Sequence, residues 1–130
     1  MPRLPVLLAA PLLASIVGCY GAETPGVAIS GRVTYQGKPV REAAIFFTPD
    51  ISKEGKGGQG VVKHGRYSIP SEEGPYPGEL NVMIIDPRRE NPNYKPGWND
   101  PLLPDSYRSF DSMKVTIPNR KSYSFDFDLK

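Results

Sequence analysis

The sequence predicts an all-β protein: a seven-stranded antiparallel Greek-key β-sandwich that follows an N-terminal signal peptide. Proline and glycine supply 15 and 13 of the 130 residues, which is about one residue in five against an average of roughly one in eight. Because proline costs about 3 kcal/mol inside a helix, this content excludes a helical bundle or coiled coil. Apolar and polar residues alternate with a period of two after residue 28, as half-buried strands require.

The signal peptide is predicted over residues 1–18. Arg3 is the only charged residue before an uncharged, mostly apolar run over residues 4–17. A membrane-spanning helix needs about 20 apolar residues, so this run is too short to span a bilayer and has the length of a signal-peptide core.

The end of that run resembles a bacterial lipobox: Ile16, Val17 and Gly18 precede Cys19, the only cysteine of the chain. The resemblance implies cleavage before Cys19, a diacylglycerol thioether on its sulfur and an N-acyl chain on the new terminus. The alternative is an ordinary signal peptide with an incidental or buried cysteine. Two or three acyl chains anchor a protein stably in a membrane, because each buried methylene contributes about 0.8 kcal/mol.

The rest of the chain divides into a tether and one domain. Residues 19–27 are predicted to be the acylated cysteine and a flexible tether, since they contain Gly and Pro without periodicity. Residues 28–130 are predicted to be the sandwich. The expected location is the cell envelope, and the absence of Asp at position 20 favours the outer membrane over the inner one.

The seven strands follow from alternation and turn residues. Pro49 ends the second strand because it cannot donate to a ladder, and His64-Gly65 forms the turn between the third and fourth strands. The predicted strands lie, in order, around Ile29, Gly31, Val33 and Tyr35; around Ala43, Ile45 and Phe47; over residues 59–63; over residues 66–69; around Leu80, Val82 and Ile84; around Met113, Val115 and Ile117; and around Tyr123, Phe125, Phe127 and Leu129.

Two groups of charged residues are interpreted as solvated surface. Asp126 and Asp128 lie two residues apart on the last strand, so their carboxylates point to one solvated face rather than to a calcium or acid-base site. Arg88 and Arg89 form a small basic spot, which is more typical of solvated surface than of an anionic-lipid site.

The connection over residues 86–111 contains five prolines, and no helix is expected there. Loops of this length are either functional or disordered. Its apolar residues predict that it packs on the sandwich. Tyr94 and the only tryptophan, Trp98, stand near amide and carboxylate side chains, which is typical of a carbohydrate-binding surface; the alternative is that they close the edge of the sandwich.

Several stretches, in the right order, resemble the carboxypeptidase regulatory-like family of transthyretin-like (prealbumin-like) sandwiches. They are residues 31–40, 43–49, 65–69, 77–84, 103–107 and 123–129. The resemblance covers nearly all of residues 28–130 and implies the fold more than an activity, because one fold hosts many functions.

The function expected from the sequence is a non-catalytic, lipid-anchored envelope protein, an accessory or interaction module. The alternative is a carbohydrate-binding module that uses Tyr94 and Trp98. One Cys and one His leave no internal disulfide and no His/Cys metal cluster, and the formal charge of +2 argues against nucleic acid. We expect no catalytic residues, no metal and no cofactor besides the lipid. The expected partners are the membrane and an envelope protein or polysaccharide.

Overall fold

The computed structural model describes residues 24–50, 52, 54–95 and 102–130. It confirms an all-β protein. Nine strands and two short 3₁₀ helices, over Pro87–Glu90 and Asp105–Arg108, are found in the described residues. The strands are β1 Ala28–Tyr35, β2 Lys38–Pro39, β3 Glu42–Pro49, β4 Gly58–Lys63, β5 Arg66–Ile69, β6 Gly78–Ile85, β7 Met113–Ile117, β8 Ser122–Ser124 and β9 Phe127–Leu129.

The strands form one mostly antiparallel sheet in the order β2-β1-β5-β4-β3-β6-β7. On the edge of β1 that faces away from β5, β1 pairs in parallel with β8 and β9. Residues 118–121 connect β7 to β8, although these strands lie at opposite ends of the hydrogen-bonded path. A connection this short spans at most roughly 17 Å. The sheet therefore curls until its two ends approach each other.

The inside of the curl is one hydrophobic core. Phe47, Tyr67 and Phe127 form its aromatic centre, with ring centroids 6.1–6.2 Å apart, in the range where tilted aromatic pairs attract. The inward residues predicted from alternation on β3, β5 and β6 are all buried. The other buried apolar residues are Val27, Ile29, Val33, Val40, Val62, Leu103, Val115, Ile117 and Leu129.

The predicted seventh strand is wrong in one respect, because it divides into β8 and β9. At the break, the carbonyl oxygen of Phe125 lies only 1.9 Å from where a Cβ on Gly31 would stand. The Tyr67 hydroxyl donates to the same oxygen. The backbone N–H of Arg32 donates to the Asp126 side chain at 2.8 Å. The Asp126 carboxylate thus takes the place of a backbone carbonyl as the acceptor of one ladder hydrogen bond. The chain bends away from β1 after β8 and pairs with it again in β9.

The last residues of the predicted tether are docked on the sheet. The backbone N–H of Gly26 donates to the carbonyl of Ser71, and that of Val27 donates to the carbonyl of Pro75, both at 2.8 Å. Gly26 and Gly74 pack so closely that a Cβ on either would meet a backbone oxygen at 2.0 Å or less. The expectation of a flexible tether up to residue 27 is therefore wrong for Gly26 and Val27.

The pairing directions define two ends of the molecule. β1, β4, β6, β8 and β9 run one way, while β3, β5 and β7 run the other way. The chain enters at Gly26, at what we call the tether end. Residues 86–112 leave β6 and return to β7 at the opposite end, the loop end. The Tyr107 hydroxyl donates to the carbonyl of Lys130 there, at 2.9 Å.

Candidate functional site

The loop end carries a buried ion pair that the sequence analysis missed. Asp86 follows β6 directly, and Pro87 starts a 3₁₀ helix with its preset φ. The Asp86 side chain is 0% exposed and that of Arg88 is 9% exposed. Asp86 also accepts from the backbone N–H of Arg88 at 3.0 Å, so it caps the short helix.

The two side chains meet in a bidentate arrangement. The Arg88 Nε donates to Oδ1 of Asp86 at 2.9 Å, and an Nη donates to Oδ2 at 2.8 Å. The backbone N–H of Leu103 donates to Oδ2 at 3.2 Å. Leu103 is a core residue, 1% exposed. We call Asp86, Arg88 and Leu103 the loop clasp, because they join the start of the connection to its return.

The electrostatics of the clasp favour an ionised Asp86. Burial alone raises the pKa of this carboxyl, but hydrogen bonds from Arg88 and Leu103 and the positive charge of Arg88 outweigh burial. Its pKa is therefore lowered from its ordinary value. A carboxylate and a guanidinium buried together stay charged only while both remain paired.

Tyr94 belongs to the surroundings of the clasp. Its hydroxyl accepts from an Nη of Arg88 at 3.0 Å, and the guanidinium carbon lies 5.1 Å from the centre of its ring. The ring is half-buried. Arg88 thus contacts both the hydroxyl and the ring of Tyr94. Trp98 lies outside the described residues.

The interpretation as solvated surface is wrong for Arg88, whose side chain is 9% exposed, whereas Arg89 is exposed. Arg88 is buried in the clasp, and the Nε of Arg89 donates to the carbonyl of Leu103. Arg89 also lies 3.6 Å from Asp105. The sequence did carry a signal for the helical turn, since Asp-Pro-x-x is typical of a capped helix start. It carried none for the contact with Leu103, which lies 17 residues after Asp86.

The remaining predicted site residues are distributed over the molecule. Cys19 and the lipobox residues Ile16, Val17 and Gly18 lie outside the described residues. His64 is exposed in the predicted turn, with φ of 52°. The exposed Asp126 and Asp128 bind β1, since Asp128 accepts from the Thr34 hydroxyl at 2.9 Å. The described chain contains no group of three or more His, Cys, Asp or Glu arranged for a metal ion.

Comparison of the chain with family models, curated proteins and solved structures found no match. In the described ranges no helix is long and apolar enough to cross a membrane. In the loop clasp the Asp86 carboxylate accepts from the Arg88 guanidinium and from backbone N–H groups, and Arg88 also donates to the Tyr94 hydroxyl.

Proposed function

We propose that this protein is a non-catalytic module, anchored in the cell envelope by lipid on Cys19, that presents its loop end away from the membrane to other envelope components. We further propose that the curled sheet is a Greek-key sandwich of the transthyretin-like type. The lipobox resemblance supports the anchor, and the resemblance to carboxypeptidase regulatory-like domains supports the fold.

One structural observation carries the orientation: the chain enters at one end of the sheet and the long connection lies at the other. Gly26 is docked against Ser71, and six residues, 20–25, separate it from Cys19 in the sequence. Six residues reach at most roughly 20 Å. The tether end would therefore stay close to the bilayer, while the loop end points outward.

The sheet pairing supports two layers. β4 and β5 pair only through Lys63 and Arg66, beside their turn. Farther along β4, Gly60 lies against the side chain of Ile69. A Cβ built on Gly60 would lie 2.8 Å from the Cγ1 atom of Ile69. The core side chain of Ile69 therefore stands between β4 and β5 where their pairing stops. Strands that diverge in this way are typical of a corner at which two layers separate. β1 and β5 then belong to one layer, and β3, β4, β6 and β7 to the other.

The anchor is tested by expressing the natural protein, Cys19→Ser and the neighbouring control Tyr20→Ser with labelled palmitate. We expect label in the natural protein and in the control, and none in Cys19→Ser. Mass spectrometry of the mature N-terminal peptide should show an acylated Cys19. An unmodified Cys19 in the natural protein would refute the anchor.

The orientation is tested with a second label. Since the only natural cysteine would be acylated, an introduced cysteine is a unique thiol. A fluorophore on Asn119→Cys, at the tether end, should be quenched strongly by nitroxide lipids in vesicles. The same fluorophore on Ser106→Cys, at the loop end, should be quenched weakly. Equal quenching at both positions would contradict the proposed orientation.

A further inference from the structure

A row of three cations crosses the outer face of the sheet. Lys63 on β4 pairs with Arg66 on β5, and Arg66 pairs with Arg32 on β1. All three residues are exposed. They lie on the face opposite the core, since their neighbours Val62 and Tyr67 point inward. The row spans two strand spacings, roughly 10 Å. We call it the basic row.

The basic row is unfavourable unless something neutralises it. Like charges on directly opposed positions of paired strands destabilise a sheet. Glu42 is paired with Lys63 in the ladder, and Asp126 accepts from the backbone N–H of Arg32. Within the described residues, however, none of the three cationic side chains forms an ion pair. Arg66 thus has a cation on each side.

A row of hydroxyl groups runs beside the basic row. Ser30 on β1 pairs with Ser68 on β5 and with Ser124 on β8. All three serines are exposed. Ser30 and Ser68 lie two residues along their strands from Arg32 and Arg66, and Ser124 lies two residues before Asp126. Because serine is small, this part of the sheet is a shallow floor that carries hydrogen-bonding groups and no bulky side chain.

Both rows line one open groove of about 780 Å³. Its far wall is β4, which diverges from β5 beyond the turn. Val61 stands on that wall with 55% of its surface exposed, the largest exposure among the large apolar residues described. The groove therefore combines an apolar rim, a floor of hydroxyl groups and a line of cations, with the Asp126 carboxylate at the Arg32 end of that line.

We propose that this groove binds an acidic polysaccharide, with the carboxylate or sulfate groups of the polymer on the basic row. Guanidinium groups match such anions in bidentate geometry. The serine hydroxyls donate to and accept from sugar hydroxyls, and the C–H face of a sugar ring packs on Val61. Each of the three surfaces of the groove then has a matching part of one ligand.

The place of the groove favours a polysaccharide over a membrane surface. The basic row lies beyond the middle of β1, toward the loop end, and on the side of the sheet rather than at the tether end. A tether of residues 20–25 holds the opposite end nearest to the bilayer. The inference adds a ligand to the envelope module proposed above, but binding by detergent-solubilised protein tests it without reference to the anchor.

The experiment measures binding of the full chain, in neutral detergent, to three polymers by titration calorimetry. Polygalacturonate carries carboxylates, dextran sulfate carries sulfates and dextran is the neutral control. We expect one or both acidic polymers to bind and dextran not to bind. Arg66→Gln and Arg32→Gln should each weaken binding at least about tenfold, the size of one lost charge-assisted bond. Added salt should weaken it as well.

A matched control is Lys114→Gln, which removes one exposed positive charge on β7, three strands away from β4 in the sheet, and should leave affinity unchanged. Ser30→Ala tests the floor and should weaken binding without changing the charge. Circular dichroism spectra identical to the natural protein verify folding. No binding of either acidic polymer, or equal losses in Arg66→Gln and Lys114→Gln, would overturn the proposal. So would binding to vesicles of anionic phospholipid without binding to either polymer.

Discussion

Removing the carboxylate of the loop clasp should destabilise the whole domain. Asp86→Ala removes four hydrogen-bond acceptances from Arg88 and Leu103. It also removes the carboxylate that the Arg88 guanidinium binds in bidentate geometry. Breaking one partner of a buried ion pair costs about 3–5 kcal/mol, a large part of the roughly 5–15 kcal/mol that stabilises a typical domain.

The assay is urea unfolding followed by circular dichroism for four proteins: the natural chain, Asp86→Ala, Arg88→Met and the double variant. We expect each single change to be severe. The loss of stability in the double variant should be smaller than the sum of the two single losses. The difference should be about 0.5–3 kcal/mol, the range for residues in one network. Additive losses, or single losses below about 1 kcal/mol, would refute the buried pairing.

Three further predictions concern pH, packing and a turn. The pKa of Asp86 is lowered in the folded protein, so its contribution to the free energy of unfolding is complete above the unfolded pKa of roughly 3.9. That contribution disappears as pH falls through the folded pKa. When urea midpoints are measured at decreasing pH, Asp86→Asn should therefore lose less stability than the natural protein. Gly31→Ala places a Cβ against the Phe125 carbonyl and should cost about 1–3 kcal/mol, while Gly37→Asn, at φ of 77° with open space around it, should cost little in the same melts. His64→Asn should keep or raise the melting temperature because Asn tolerates positive φ, and His64→Val should lower it; equal melting temperatures would contradict the turn geometry.

The strands and turns were predictable because their causes are local. Alternation along β3 and β6 specifies which side chains face the core, since successive residues point to opposite faces. Pro49 ends β3 as predicted, and a residue followed by glycine forms both tight turns, at Gln36-Gly37 and His64-Gly65. The all-β class follows from the same observations together with the proline content.

The division of the last strand could not be predicted, because its alternation continues unbroken through the break. What bends the chain there is a contact with Gly31, more than ninety positions away, and a side-chain acceptor from Asp126. The sequence shows the glycine but not which carbonyl approaches it. Arg88 likewise reads as exposed in the sequence, because its contacts with Asp86 and Tyr94 depend on how the connection folds.

The amino-acid sequence alone determined the all-β class, most strand positions and the places of the turns, because backbone sterics and period-two burial act over a few residues. Only the tertiary structure decided which charges are buried and which stand together. The path of the connection after β6 brings Leu103 to Asp86, and the pairing of β1 with β5 places Arg32 beside Arg66. Pairing between distant strands sets such neighbours, and no local pattern in the chain specifies that register.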